Sequence, residues 1–203
     1  MLQRPSPRLV LASASASRRA LLEAAGLAFA IQPADLDEAV VKQAASAEGA
    51  SAETAALRLA DLKAAVVARD HPDALVVGAD QILVCDGVWF DKPADLLAAR
   101  QQLLTLRGKT HTLATAAVCY RDGRHMWSQI ATPRLTMRDF SHEFIDAYLA
   151  AEGDHVTGSV GAYRLECLGM HLFSAVEGEY SAILGLPMLA LLEFLRRQGS
   201  LII

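Results

Sequence analysis

Residues 9–38 read LVLASASASRRALLEAAGLAFAIQPADLDE, and the reading of this passage decides the fold class. Leu9, Val10 and Leu11 form a short apolar run suited to a buried strand. Ala20, Leu21, Leu22, Ala24 and Ala25 give an apolar helix face that stops at Gly26, and Phe29 to Gln32 reads as a second strand. The passage is thus a short strand-helix-strand unit, and the rest of the chain reads as scaffold for it.

Between the first strand and the helix stand Ser13, Ser15, Ser17, Arg18 and Arg19. A serine-rich turn opening a helix presents unpaired N–H groups, hydroxyl donors and the positive end of a dipole, and two guanidiniums there suit an anion, phosphate best of all. The plainer reading is an N-cap serine and two solvated arginines. Arg18 and Arg19 nonetheless sit where the helix dipole disfavours cations, and a bound polyphosphate would give their placement a reason. Past Pro33, Asp35, Asp37 and Glu38 crowd what reads as one loop, either a solvated turn or a hard-cation site. Carboxylates beside a phosphate cradle call for Mg²⁺ or Mn²⁺ between the anions.

The 203-residue chain is 53% hydrophobic and 21% charged, which fits a globular protein with one sizeable core or two lobes. Its net charge of -4 argues against nucleic acid as the main ligand. No apolar run is long enough for a bilayer and the N-terminal MLQRPSPRLV lacks an apolar signal segment, so no membrane and a cytoplasmic location are expected. Cys85, Cys119 and Cys167 are far apart in no metal-ligand spacing, and are expected as buried free thiols.

Farther along, residues 51–69 predict an amphipathic helix with Ala55, Leu59, Leu62 and Val66 on its inner side, and Arg58 and Lys63 available to a ligand or to solvent. Ala74 to Gly78 reads as a central buried strand ending at Ala79, Asp80 and Gln81, and an acid at the carboxyl end of such a strand marks Asp80 as the leading catalytic candidate. Asp86-Gly87 predicts a hairpin that carries Lys92 back toward that strand end, although Lys92 also fits an ordinary turn. A helix over residues 95–106, two antiparallel strands around the turn at 121–124, a short helix over 141–149 and a closing helix over 186–197 follow. Residues 153–185 read as a glycine-rich, irregular segment, either site-lining or a string of turns, with Tyr163, Glu166, Glu177 and Glu179 in it.

The blocks LASASASRRALLEAAG, DLDE, RLADLKA, VVGADQ, DKP, LRGKTHT, GSVGAYRLECLG and EGEYSAILGLP, in that order, resemble the Maf-type nucleoside triphosphate pyrophosphatases. The resemblance implies one Maf-like domain over residues 1–203, an α/β fold of two lobes with a central mixed twisted sheet flanked by helices and a deep cleft, similar to inosine triphosphate pyrophosphatase. It also implies house-cleaning, Mg²⁺- or Mn²⁺-dependent hydrolysis of a non-canonical or modified nucleoside triphosphate to the monophosphate and pyrophosphate. The phosphate-binding positions fall on Ser13, Ser15, Arg18, Lys63 and Lys92, the metal positions on Glu38 and Asp80, and the catalytic position on Asp80. Base specificity falls on Ser17, Gln81 and Glu166. Members selective for dTTP and UTP carry arginine, threonine and glutamine there, whereas Gln81 and Glu166 resemble the 7-methyl-GTP-selective branch, which has an aromatic where this chain has Ser17. The alternatives are a 7-methyl-GTP-selective enzyme and a non-catalytic nucleotide-binding regulator of cell division; a homodimer is allowed by either.

Overall fold

The computed structural model of the chain describes residues 2–202. In order, these hold β1 (Leu9–Leu11), α1 (Ala16–Ala24), β2 (Ala30–Ile31), α2 (Glu38–Ala47), α3 (Ala52–Ala68), β3 (Leu75–Cys85), β4 (Val88–Phe90), α4 (Leu96–Leu106) and β5 (Thr110–Arg121). Then come β6 (Arg124–Ala131), β7 (Arg134–Met137), α5 (His142–Glu152), β8 (Phe173–Glu177), α6 (Tyr180–Ile183) and α7 (Met188–Arg197). The eight strands make one mixed sheet in the order β2-β1-β3-β5-β7-β8, with β4 paired to β3 and β6 to β5. No helix of the described residues is long and apolar enough to cross a membrane.

The chain divides into two compact units, the first made of Met1–Gln81, Thr115–Ala131 and Gly185–Ile203, the second of Ile82–Ala114 and Thr132–Leu184. In the first, β1 runs parallel to both β2 and β3, with Val10 opposite Ala30 and Val76. Successive side chains of a strand point to opposite faces. Leu75, Val77 and Ala79 accordingly pack with Leu22 of α1 and Leu191, Phe194 and Leu195 of α7, whereas Val76 packs with Val67 and Ala68 of α3. The second unit is built around Leu83, Leu103, Leu106, Leu113, Leu135, Ile145 and Leu172.

On the α3 side of β3, the residue after Val77 is Gly78, where a Cβ would lie 2.3 Å from the Ala60 carbonyl oxygen and 2.6 Å from the Ala64 amide nitrogen. Only a residue without a side chain lets the helix backbone come so near the strand. The buried stripe of α3 runs through Ala56, Leu59, Ala60, Lys63, Ala64 and Val67. It therefore differs from the inner face expected from the sequence, since Leu62 and Val66 are only half-buried. At Gly78 the helix meets the strand through the small alanines Ala60 and Ala64, because the contact there is backbone to backbone.

Other expectations are also corrected. Glu38 is not in a loop: Asp37 caps α2 by accepting from the amides of Ala39 and Val40, and Glu38 is its first residue. Asp80 does not end its strand, because β3 continues to Cys85 by exchanging its parallel partner β1, last paired at Val77, for the antiparallel β4, from Leu83 onward. Beyond the turn at 121–124 there are two strands instead of one, β6 and β7, broken at Pro133, which has no N–H for a ladder. All three cysteines are free, but Cys167 is exposed on a turn while Cys85 and Cys119 are buried.

Candidate active site

Two groups of side chains in the first unit meet at the point where the β1 ladder on β3 ends. The first comes from the turn between β1 and α1. Ser15 caps α1, its Oγ accepting from the Arg18 amide at 3.4 Å, and the buried Ser13 Oγ accepts from the Ser15 amide at 3.2 Å. Arg18 turns inward and not to solvent: Nη1 donates to Ser13 Oγ at 3.1 Å and to the Ala79 carbonyl at 2.9 Å, and Nε donates to the Gly185 carbonyl at 3.0 Å. Gly185 has φ +107, and a Cβ there would come within 3.0 Å of Arg18 Nε. The guanidinium thus ties the first turn, β3 and the segment before α7 together. Arg19, in contrast, is exposed and pairs with Glu23 at 3.2 Å.

The second group is ionic. Lys63, on the buried stripe of α3, places Nζ 2.7 Å from Asp80 Oδ1 and 2.8 Å from Glu38 Oε1. Gly78 and Asp80 share a face of β3, so the close approach that glycine permits at 78 is what brings Lys63 within reach of Asp80 two residues on. The sequence carried a signal for this, an isolated glycine inside an apolar strand run, which marks close backbone approach.

Charge ties the two groups together. Burial pushes the Arg18 guanidinium below its ordinary value, and the negative charges of Asp80 and Glu38 oppose that shift without cancelling it. Burial pushes the Glu38 carboxyl up, but the hydrogen bond and charge of Lys63, helped by Lys42 and Arg18, overcome it and hold Glu38 below the ordinary carboxylate value. Asp80 is 4% exposed, and its Oδ2 is buried with no hydrogen-bond partner among the described residues. A buried carboxylate oxygen without a donor is costly unless a ligand or ion meets it.

That orphaned atom is the test of fit for a divalent cation. Among the described residues no group of three or more His, Cys, Asp or Glu is placed to hold a metal. Mg²⁺, however, is commonly bound by one or two carboxylates plus water and substrate phosphates, and Asp80 Oδ2 with Glu38 fits that donor set.

The remaining sequence candidates are placed separately. Ser17 is half-buried in the first turn of α1. Gln81 lies next to Asp80 but on the opposite face of β3, and its Nε2 donates to the fully buried Thr115 Oγ1 at 2.7 Å. Lys92 and Glu166 belong to the second unit and are both exposed. Asp86 and Gly87 do form the expected hairpin turn, with φ of 51 and 79, but the β3–β4 ladder ends at Phe90, short of Lys92.

A family model described as Maf-like protein matches residues 8–198. The chain is 53% identical over 193 residues to a nucleoside triphosphate pyrophosphatase of Paramagnetospirillum magneticum, covering 95% of this chain and 100% of the relative. It is 50% identical over 194 residues to a protein of the same description from Granulibacter bethesdensis, covering 96% of this chain and 98% of that one. A 7-methyl-GTP pyrophosphatase of Rhizobium meliloti is 46% identical over 195 residues, covering 96% and 98%.

Proposed function

This chain belongs to the Maf-like protein family, and we propose that it is a nucleoside triphosphate pyrophosphatase, cleaving its substrate to the monophosphate and pyrophosphate. The single observation that carries the mechanism is the arrangement in which the buried Lys63 places Nζ between the exposed Glu38 and the buried Asp80 while Asp80 Oδ2 accepts from no described residue.

Asp80 is the general base. Its carboxylate takes a proton from the attacking water, whose oxygen forms a bond to the α-phosphorus as the bond from that phosphorus to the bridging oxygen breaks and pyrophosphate leaves with the electron pair. Lys63 holds Asp80 through Oδ1, which leaves Oδ2 directed to the reaction. Asp80 and Glu38 would hold Mg²⁺ or Mn²⁺, which would supply positive charge to offset the negative charge developing on the leaving pyrophosphate. Ser13, Ser15 and Arg18 form the phosphate end of the site together with Lys63, and Lys92 is assigned to phosphate on the family resemblance alone. Because Arg18 has its Nε and Nη1 protons on Gly185, Ser13 and Ala79, it acts on phosphate chiefly through its charge and its remaining nitrogen, Nη2.

Base choice is assigned to Ser17, Gln81 and Glu166. Glutamate accepts but cannot donate when ionised, so it rewards a base edge with N–H donors, as on guanine. A 7-methyl-GTP-selective reading is favoured by the relative of that description. Ser17, which cannot stack on a cationic base, argues for a broader substrate range that includes other purines. Free thiols fit a reducing, cytoplasmic setting for such a house-cleaning enzyme.

The test is to incubate the protein with Mg²⁺ or Mn²⁺ and ordinary, methylated and deaminated nucleoside triphosphates. Pyrophosphate as the first product supports the assignment. Orthophosphate as the first product, or nucleotide binding with no product on any substrate, contradicts it.

A further inference from the structure

Glu152, the last residue of α5, is a carboxylate that is 2% exposed and takes no part in the chemistry above. Burying a charge is unfavourable unless hydrogen bonds replace its water, and here three do. Oε2 accepts from Arg164 Nε at 3.0 Å and Nη2 at 2.6 Å, and Oε1 accepts from the Leu168 amide at 3.1 Å. Arg164 and Leu168 stand two residues either side of Glu166. Within that bracket the Cys167 amide donates to the Arg164 carbonyl at 3.1 Å, closing a turn with Glu166 inside it. The next residue, Gly169, packs so close that a Cβ there would lie 2.4 Å from the Arg164 carbonyl oxygen. An exposed glutamate is ordinarily free to take many positions, but this one rides on a turn fastened at both ends to a single buried anion.

We propose that Glu152 is a positioning residue for base selection: by holding Arg164 and Leu168 it fixes the turn that presents Glu166 to the nucleobase. This rests on the assignment of Glu166 to base choice. A ligand-reading carboxylate must be held to within a fraction of an ångström for its hydrogen bonds to discriminate, and such support comes from residues behind it.

The experiment measures kcat and KM with Mg²⁺ for guanosine and uridine triphosphates, using the wild type, Glu152→Gln, Glu166→Gln and the double variant, with thermal melts to confirm folding. Glu152→Gln is expected to reduce the guanosine-to-uridine ratio of kcat/KM roughly threefold to tenfold, mainly through KM for the guanosine substrate. The double variant should show the ratio of Glu166→Gln alone, because both substitutions remove the same interaction. If Glu166→Gln shifts the ratio while Glu152→Gln lowers both substrates equally, or if the two effects multiply, the positioning role is overturned and the Glu166 assignment stands. If Glu166→Gln leaves the ratio unchanged, that assignment fails and the proposal with it. Should Glu152→Gln not fold, Arg164→Lys takes its place: it keeps the charge, loses the two-nitrogen fork, and is expected to shift the ratio in the same direction.

Discussion

A Cβ on Gly78 would lie 2.3 Å from the carbonyl oxygen of Ala60, so α3 rests on β3 at a distance that only glycine at 78 allows. The ionic part of the site depends on this contact, because Lys63 and Asp80 are carried by the same two elements one turn and two residues away. Gly78→Ala is therefore expected to lower stability by about 3 kcal/mol or more, since overpacking against backbone has no side chain that can yield. Urea denaturation followed by circular dichroism checks this, and an unchanged midpoint would mean that the helix does not pack at that distance.

Lys63→Met should destabilise the fold by about 3–5 kcal/mol at neutral pH, because it leaves Asp80 buried and charged with no partner. Adding Asp80→Asn to that variant should recover most of the loss. Equal midpoints for the single and double variants would show that the Lys63–Asp80 pair is not desolvated.

The second unit carries an acid-sensitive element. His111 is 1% exposed, its Nε2 lies 2.9 Å from the Tyr163 hydroxyl, and burial lowers its pKa from 6.5 to about 4. The group is neutral when folded, so below pH 6.5 the unfolded chain takes up a proton that the folded chain does not. Stability falls as pH drops from 6.5 to 4, by about 3 kcal/mol at most, and the contribution is flat outside that window. Urea midpoints measured through this range for the wild type and His111→Asn check the sign: the variant should lose less stability on acidification. A variant that acidifies in parallel with the wild type would place the sensitivity elsewhere.

Much of this was legible in the chain itself, where residue chemistry is local. Ser15 as the cap of α1 and Asp86-Gly87 as a hairpin turn need only their neighbours to be understood. Helix α2 was hidden because EAVVKQAASA buries only Ala45 and so carries little periodic contrast. The full length of β3 was hidden because its continuation past Asp80 depends on a change of partner strand, which is a tertiary event. Lys63 was visible as a cation near the site, but its position between two carboxylates follows from Gly78 and the alanine stripe of α3 acting together. Glu152 gave no sequence signal, since an acid at a helix end is unremarkable until both its oxygens are seen to hold a distant turn.

The most direct test of the account is the phosphorus NMR spectrum of reaction mixtures containing Mg²⁺, a hydrolysable nucleoside triphosphate and either the wild type or Asp80→Asn. The wild type should yield monophosphate and pyrophosphate, while Asp80→Asn binds the nucleotide and turns it over slower by at least about a hundredfold, the share of the rate that a positioned base supplies. Turnover by Asp80→Asn within a factor of about two of the wild type would contradict the assignment of Asp80 as the base, since loss of a general base costs far more than that.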